Sequence, residues 1–440
     1  MILCELKNIF NIIKKNFAHF AFKKMKNLKY IFLLFIGVFN AQETLTLQQC
    51  YQLSRENYPL IKKQELIKKS EQFTTENALR GWLPQINITA QATYQNDVTQ
   101  FPVKLPNVSV EPLSNDQYKV FADISQTIYD GGNIKNQKKL AQAQAEIQSQ
   151  QIEVELDKLK ERINQIYFGI LQTDKQLTQF QLTKTDINEG IKKAEAQLKN
   201  GVIFRSNLDV LKAELVKLEQ REIELKSVKQ SFVQMLSYFI KRNLDENTQL
   251  QTPEKTLITE TNNRSELKLF DAQKSLIETQ KKLINTKNTP KLGAFFQGGY
   301  GKPGFNMLKN EFDTFYITGI RLNIPISGFY TKKNDLQLLE NQNQDIEIQR
   351  ENFLFNQNFT EIQQKNDLDK IQNLIDKDDE LITLRKSIKK ASLAQLENGV
   401  ITTNDYLREV NAEEQAVLTK ISHEIQYLLT QYNLKANLNN

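Results

Sequence analysis

Cysteine and histidine are nearly missing from this chain. Of 440 residues, two are Cys (Cys4, Cys50) and two are His (His19, His423). Two thiols exclude a disulfide framework, and the four residues together offer no usual zinc spacing. There is no P-loop, no dinucleotide fingerprint, no G-x-S-x-G and no HExxH. His423 lacks the partners that catalysis requires and is expected to be solvated or packed. The sequence therefore points to no enzyme, no cofactor and no metal. No stretch reaches 18 apolar residues, so the mature chain is expected to lack a membrane helix.

Net basic charge is also missing once its source is located. The chain holds 58 Lys+Arg against 52 Asp+Glu. Residues 1–41 contain seven Lys and one acid, which leaves 51 basic and 51 acidic side chains in the remainder. A nucleic-acid binder keeps a basic surplus, so no nucleic-acid partner is expected. From Met25 the chain reads KNLKY, then IFLLFIGVF, then NAQ. A basic region, a short apolar run and a small residue form the layout of a secretory signal peptide. Residues 1–41 are thus expected to be an export leader cleaved near Ala41 or Gln42. Residues 1–24 read as an over-extended start, with a long basic region as the alternative. A buried N-terminal helix is the other reading of the apolar run. Cys50 lies too far along, without a lipobox, to be a lipidation site.

Long helices dominate the rest of the chain. Leu156, Leu159, Ile163, Ile166, Ile170, Thr173, Leu177, Phe180, Lys184, Ile187, Ile191, Ala194 and Leu198 alternate three and four apart. That is a coiled-coil seam. The absence of Pro and Gly upstream extends the helix back to about Gly132, giving roughly 100 Å of helix. Asn200-Gly201 is a helix stop. A second seam comes next at Leu211, Leu218, Leu225, Phe232 and Phe239, making a helical hairpin. Residues 331–398 again lack Pro and Gly and carry Ile346, Phe353, Ile371, Leu374, Leu381 and Ile388. That helix stops at Asn398-Gly399, and a last one is expected from about Thr403 to Leu438. Gln197-Leu-Lys-Asn-Gly-Val202 recurs as Gln395-Leu-Glu-Asn-Gly-Val400, and Asp130-Gly131 as Ser327-Gly328. The chain reads as an internal duplication, with repeats over 42–250 and 251–440 and hairpin turns at 200–202 and 398–400.

Four strands sit between the helices, expected at about 85–96, 117–129, 291–300 and 312–326. Ile86, Ile88, Ala90, Ala92 and Tyr94 alternate with Asn87, Thr89, Gln91 and Thr93. The other three alternate in the same way. Residues 101–116 and 301–311 read as loops. Ten-residue amphipathic strands suit a tilted transmembrane barrel; a small soluble sheet is the alternative. A barrel in lipid leaves no open edge. Four strands are too few to close, so the barrel reading requires oligomers, with eight strands from two chains or twelve from three.

Here the chain resembles the TolC family of outer-membrane efflux proteins. The resemblance rests on Leu45-Thr-Leu-Gln-Gln-Cys50, Asn57-Tyr-Pro-Leu60, Trp82-Leu-Pro-Gln-Ile86, Ile128-Tyr-Asp-Gly-Gly132, Leu322-Asn-Ile-Pro-Ile326 and the doubled Asn-Gly-Val turns. It covers nearly all of residues 43–438. It implies a mainly α fold with a transmembrane β part, assembling as a homotrimer into a 12-stranded barrel on an α-helical tunnel. It also implies an outer-membrane location with a long periplasmic extension, contact with outer-membrane lipid, and docking of a periplasmic adaptor and an inner-membrane pump. The function expected is a passive export duct of a tripartite efflux or type I secretion system. The alternative is an exported periplasmic coiled-coil protein without a channel.

The resemblance also assigns residues. Gly201, Val202, Gly399 and Val400 would form the periplasmic tip where the adaptor docks. Asp405 matches an acidic position that rings the tunnel entrance; Arg408 departs from that pattern. Asn207 is the first-half equivalent of Asp405, and Asp209 lies two residues beyond. An acidic ring focuses cation potential, whereas an Asp405–Arg408 pair one turn apart would lock a closed state. Alternatively, Asp405 is simply an acid in a first helical turn. Arg321 falls on a polar strand face and would line the barrel lumen, or else sit near an interface or loop. Trp82 and Tyr94 lie near strand ends, as in an aromatic girdle, with Trp82 alternatively a core anchor. Tyr51 and Tyr58 are expected to pack between helices.

Overall fold

The computed structural model describes residues 44–99, 112–256 and 261–438. The expected leader and most of the expected loop at 101–116 lie outside the described residues. The elements run α1 (Leu47–Asn57), α2 (Ile61–Leu79), a 3-10 turn (Arg80–Trp82), β1 (Gln85–Tyr94), β2 (Asp116–Tyr129), α3 (Asn133–Lys199) and α4 (Arg205–Ile240). They continue with α5 (Ser265–Lys287), β3 (Lys291–Lys302), β4 (Asp313–Asn323), α6 (Phe329–Glu397) and α7 (Thr403–Leu438). Helix, strand pair and long helical hairpin thus occur twice in the same order. None of the described helices is long and apolar enough to cross a membrane.

The long helices form because their sequences contain no breaker. α3 runs 67 residues and α6 runs 69, about 100 Å each at 1.5 Å per residue. Along α3 the seam from Leu156 through Ile163, Ile170, Phe180, Ile187 and Ala194 is buried. It packs on α4 through Leu211, Leu218 and Leu236. The Cβ of any larger residue at Gly169 would lie 2.9 Å from the Phe232 ring, so the two helices close tightly there.

On α6 the expected seam is only partly right. Ile371 is buried, but Leu374, Leu381 and Ile388 are 40%, 43% and 41% exposed. At 100° per residue these three lie to one side of the line formed by Leu368, Ile371 and Ile382. The line is buried; the flank is not. Ile348, Phe355, Phe359 and Ile362 are exposed on the same helix. α6 therefore carries more apolar surface than its own chain covers.

The main core sits where α1 crosses the α3–α4 pair and α7. It gathers Leu45, Leu47, Cys50, Ile163, Tyr167, Phe168, Leu236, Ile240 and Ile425. The Tyr167 hydroxyl lies 2.8 Å from the carbonyl of Leu45 and 2.7 Å from that of Gln251. It thereby ties the segment that leads into α1 to the segment between α4 and α5. Tyr51 donates to Asn164, whose amide donates to Asn433 at 2.9 Å. α1 itself is closed by a capping box between Thr46 and Gln49.

The strands form one antiparallel sheet in the order β1-β2-β3-β4. A bulge between Thr127 and Tyr129 bends β2 where it leaves the sheet. Just beyond, the Asp130 carboxylate accepts from the backbone N–H groups of Gly132 (2.8 Å) and Ile134 (2.5 Å), which starts α3. Gly131 has φ +70°, and a Cβ there would lie 1.7 Å from Thr289 Oγ1.

Gly131→Ala meets both a left-handed backbone and a collision with Thr289, whereas Gly201→Ala meets only the backbone term, since nothing lies within 4 Å of its Cβ position. The expected loss is about 1–2 kcal/mol for Gly201→Ala and clearly more for Gly131→Ala. Thermal denaturation of the two variants checks this, and equal losses would contradict the packing at Thr289.

Candidate functional site

The sheet separates two chemistries by its pleat. Register places Ile86 opposite Ile124, Ile124 opposite Phe296, and Phe296 opposite Thr318. The same face carries Ile88, Val120, Tyr300, Ile320 and Leu322, all exposed in the single chain. Asn87, Gln91, Lys119, Asp123, Gln297 and Arg321 occupy the opposite face. The strands are 10 to 14 residues long, the length that an outer-membrane barrel strand needs to cross an apolar band about 25 Å tall. β1 and β4 are the two edges, and each leaves one side of its backbone unpaired within the chain.

Aromatic residues mark both ends of this band. Tyr300 stacks on Phe312 at 5.5 Å, Tyr118 on the same ring at 6.5 Å, and Tyr94 lies exposed at the tip of β1. Trp82, Tyr129, Phe329 and Tyr330 are exposed at the other end. Trp82 thus lies at the surface rather than as a core anchor. Arg321 is on the polar face, its guanidinium 4.7 Å from the Phe295 ring centre. It also lines a cavity of about 420 Å³ between the sheet and the helices.

The far ends of the hairpins are built alike. Val202 N–H donates to Gln197 O at 2.9 Å and Gly201 N–H to Leu198 O at 3.0 Å. Val400 to Gln395 (2.8 Å) and Gly399 to Leu396 (3.0 Å) repeat the pattern. These are Schellman caps, which need the left-handed φ of +69° and +71° at the two glycines. Val202 and Val400 project into solvent. So does Phe204, 81% exposed, a residue that no sequence pattern marks.

Beyond the turns the halves diverge. Thr402 and Asp405 form a capping box: Thr402 N–H donates to the Asp405 carboxylate (3.1 Å) and Thr402 Oγ1 accepts from Asp405 N–H (3.2 Å), while Oγ1 itself donates to the carboxylate at 2.7 Å. That hydrogen bond holds the Asp405 pKa below the usual range, with Arg408 adding a smaller pull. Arg408 points elsewhere, its Nε 3.4 Å from Glu409. Within the single chain no Asp405–Arg408 ion pair forms: the carboxylate closes its own helix start, and the exposed Arg408 has Glu409 as its near neighbour. In the first half Asp209 pairs loosely with Arg205 at 3.9 Å. Asn207 sits half-buried in the first turn of α4.

The residues that join the two hairpins carry no signal in the sequence. Lys389 on α6 reaches Asp186 on α3 (2.8 Å) and Glu413 on α7 (2.5 Å). Burial pulls its pKa down, but these two hydrogen bonds outweigh it and hold the ammonium above its usual value. Lys193–Glu397 (2.6 Å) and Lys175–Glu424 (3.0 Å) cross the same seam. His423 is neither solvated nor simply packed; its Nδ1 lies 2.6 Å from the buried Asp378. Glu414 is buried with neither carboxylate oxygen hydrogen-bonded. Burial pushes its pKa up, Arg221 at 3.6 Å opposes this, and Glu214 adds to the rise. Among the described residues no group of three His, Cys, Asp or Glu is placed to hold a metal.

Residues 50–236 match the profile of the outer membrane efflux protein family, whose members are channels and not enzymes. No curated protein matches the chain by sequence. Among solved structures, the VceC outer membrane protein of Vibrio cholerae superposes with a TM-score of 0.65 at 13% identity, covering 90% of this chain and 96% of that one. The CmeC outer membrane channel of Campylobacter jejuni gives 0.63 at 13%, covering 89% and 85%. The open state of the MtrE outer membrane channel of Neisseria gonorrhoeae gives 0.63 at 12%, covering 90% and 89%. The fold is that of these channels: mostly helical, with four antiparallel strands per chain.

Glu414 yields a pH prediction. A carboxyl whose folded pKa is raised binds its proton more tightly in the folded state, so stability falls as pH rises from the ordinary carboxylate range through the raised value. Glu414→Gln should remove that component. Its thermal midpoint should match the parent at acidic pH and exceed it at pH 8, where the stability gain is about 1–3 kcal/mol for one buried carboxylate without a hydrogen bond. A lower midpoint at pH 8 would show that Arg221 satisfies the carboxylate.

Proposed function

We propose, for a chain that carries an outer membrane efflux protein domain and folds throughout as outer-membrane channels do, that three copies form the passive outer-membrane duct of a tripartite efflux or type I secretion system. The observation that carries this reading is the open four-stranded sheet with its uncovered apolar face. In lipid each unpaired backbone group costs several kcal/mol, so β1 of one copy must pair with β4 of the next. Three copies give twelve strands and a lumen wide enough for solute, lined by Asn87, Gln91, Lys119 and Arg321. Eight strands from two copies would be filled by side chains.

The uncovered flanks of α6 and α4 support the same assembly. Leu374, Leu381 and Ile388 on one, with Val216, Ile223 and Tyr238 on the other, are exposed apolar rows on long helices. They are what a helical tunnel built from several chains would bury between copies. The tunnel extends into the periplasm, and Gly201, Val202, Gly399 and Val400 form its tip, where a periplasmic adaptor joined to an inner-membrane pump docks. Asp405, Arg408, Asn207 and Asp209 lie around the entrance. Residues 1–41 act as the leader, with repeats over 42–250 and 251–440. An exported coiled-coil protein without a channel would leave the apolar sheet face in water, and no observation favours it.

Conductance in planar bilayers tests this. The purified protein should form long-lived channels of low conductance. Asp405→Ala combined with Arg408→Ala should raise the open probability or alter cation preference. Unchanged conductance and selectivity would remove these two residues from the entrance, and an absence of any channel would remove the duct.

A further inference from the structure

At the end of the sheet farthest from the helices, the polar face carries aromatic rings. The register sets Thr89, Phe121, Gly299 and Phe315 in one row across the four strands. The next row outward holds Gln91, Lys119, Gly301 and Asp313. Gly299 makes room for the aromatic pair, since a Cβ there would lie 2.5 Å from Phe121 Cβ and 2.3 Å from the Val120 carbonyl. The Phe121 and Phe315 rings stand 6.5 Å apart across it. Residues 303–312 then fold back over this face. Phe305 packs on Phe315 with ring centres 4.7 Å apart, and Pro303 and Gly304 before it are buried. Between this segment and the strands lies a cavity of about 160 Å³, bordered by Gln91, Lys119, Gln297 and the three rings. The far end of the segment is pinned: Asn310 Oδ1 accepts from both the N–H and the Oγ of Ser114, at 3.0 Å each.

Rings on a face of Asn, Gln, Lys and Asp need a reason. Anchoring the segment accounts for Phe315, which is buried, but not for Phe305, which stays 52% exposed. The apolar face was also open to it, and Phe312 from the same segment stacks there on Tyr118 and Tyr300. We propose that Phe121, Phe305 and Phe315 form an apolar collar at the outer mouth of the duct, one set per copy, that obstructs hydrated solutes. The inference rests on the duct reading, because only in a closed barrel does this face enclose water. An apolar constriction in an aqueous pore drives water out and so stops ions and polar solutes. Phe305 is the movable part, because it rides on the segment between β3 and β4 and is held by one ring contact. Phe121 and Phe315 are fixed in the strands.

Labelling of intact cells that carry the full-length protein tests this, with a sulfonated maleimide dye too large for general porins. The reporter is Arg321→Cys, an exposed position on the same face at the helix end of the sheet, inward of the collar. Cys50 is fully buried and gives no background. Leu308→Cys, on the exposed part of the outer segment, should label readily in every background. With the rings intact, Arg321→Cys should label slowly. Phe305→Ala with Phe315→Ala should speed it at least about tenfold. Phe305→Ala alone changes a half-exposed position outside the strands and should also speed it, whereas Phe305→Leu keeps apolar bulk and should keep it slow. Ready labelling of Leu308→Cys combined with an Arg321→Cys rate indifferent to the rings would overturn the collar and leave the duct standing. So would a reporter that stays unlabelled once the rings are removed. No labelling of Leu308→Cys would remove the duct, and the collar with it.

Discussion

A β-sheet in hydrocarbon cannot end at an unpaired strand. Water is absent there, and every free N–H and C=O on an edge carries a penalty of several kcal/mol. This chain supplies four strands with one apolar face and two open edges. Nothing else in the described residues covers either feature. In the proposed assembly the closed barrel, the number of copies and the polarity of its lining would all result from satisfying those edges. The aromatic residues at both ends of the apolar band fit the same environment, since their rings suit the boundary between hydrocarbon and water.

The helical part meets a different constraint. Its hairpins are held by alternating seams, and the two hairpins of one chain meet through apolar contacts of Leu407, Ile425 and Leu428 on α7 together with charged links. Lys389, bound to Asp186 and Glu413, is the most enclosed of these links. A lysine held by two carboxylates in a partly buried site is firm while intact, and removing one partner strands the others. Apolar seams thus keep each hairpin whole, and both apolar packing and polar links join hairpin to hairpin. Glu414, buried beside Glu214, is a weak point in the same layer.

Much of this is legible in the sequence. The α3 seam, the four alternating strands and both Asn-Gly-Val turns rest on local spacing, which the chain displays directly. Where the sequence misleads, the missing information is non-local. Periodicity identifies Leu374, Leu381 and Ile388 as an apolar row, but it cannot say whether the row meets its own chain or another. Lys389 and Asp186 are 203 residues apart, and no motif links them. Asp405 is a different case: Thr402-x-x-Asp405 is a capping signature in plain sight, and taking that carboxylate as a partner for Arg408 overlooks it. Phe204 is invisible for another reason, since nothing in its spacing distinguishes an exposed tip residue from a buried one.

The central claim is that edges left open in one chain are closed by others. The native mass of the protein extracted in detergent from the outer-membrane fraction tests it most directly. The account predicts a particle of three chains, confined to the membrane fraction and resistant to dissociation. A water-soluble monomer or dimer would contradict it, because the apolar sheet face and both strand edges would then be stable in water without partners.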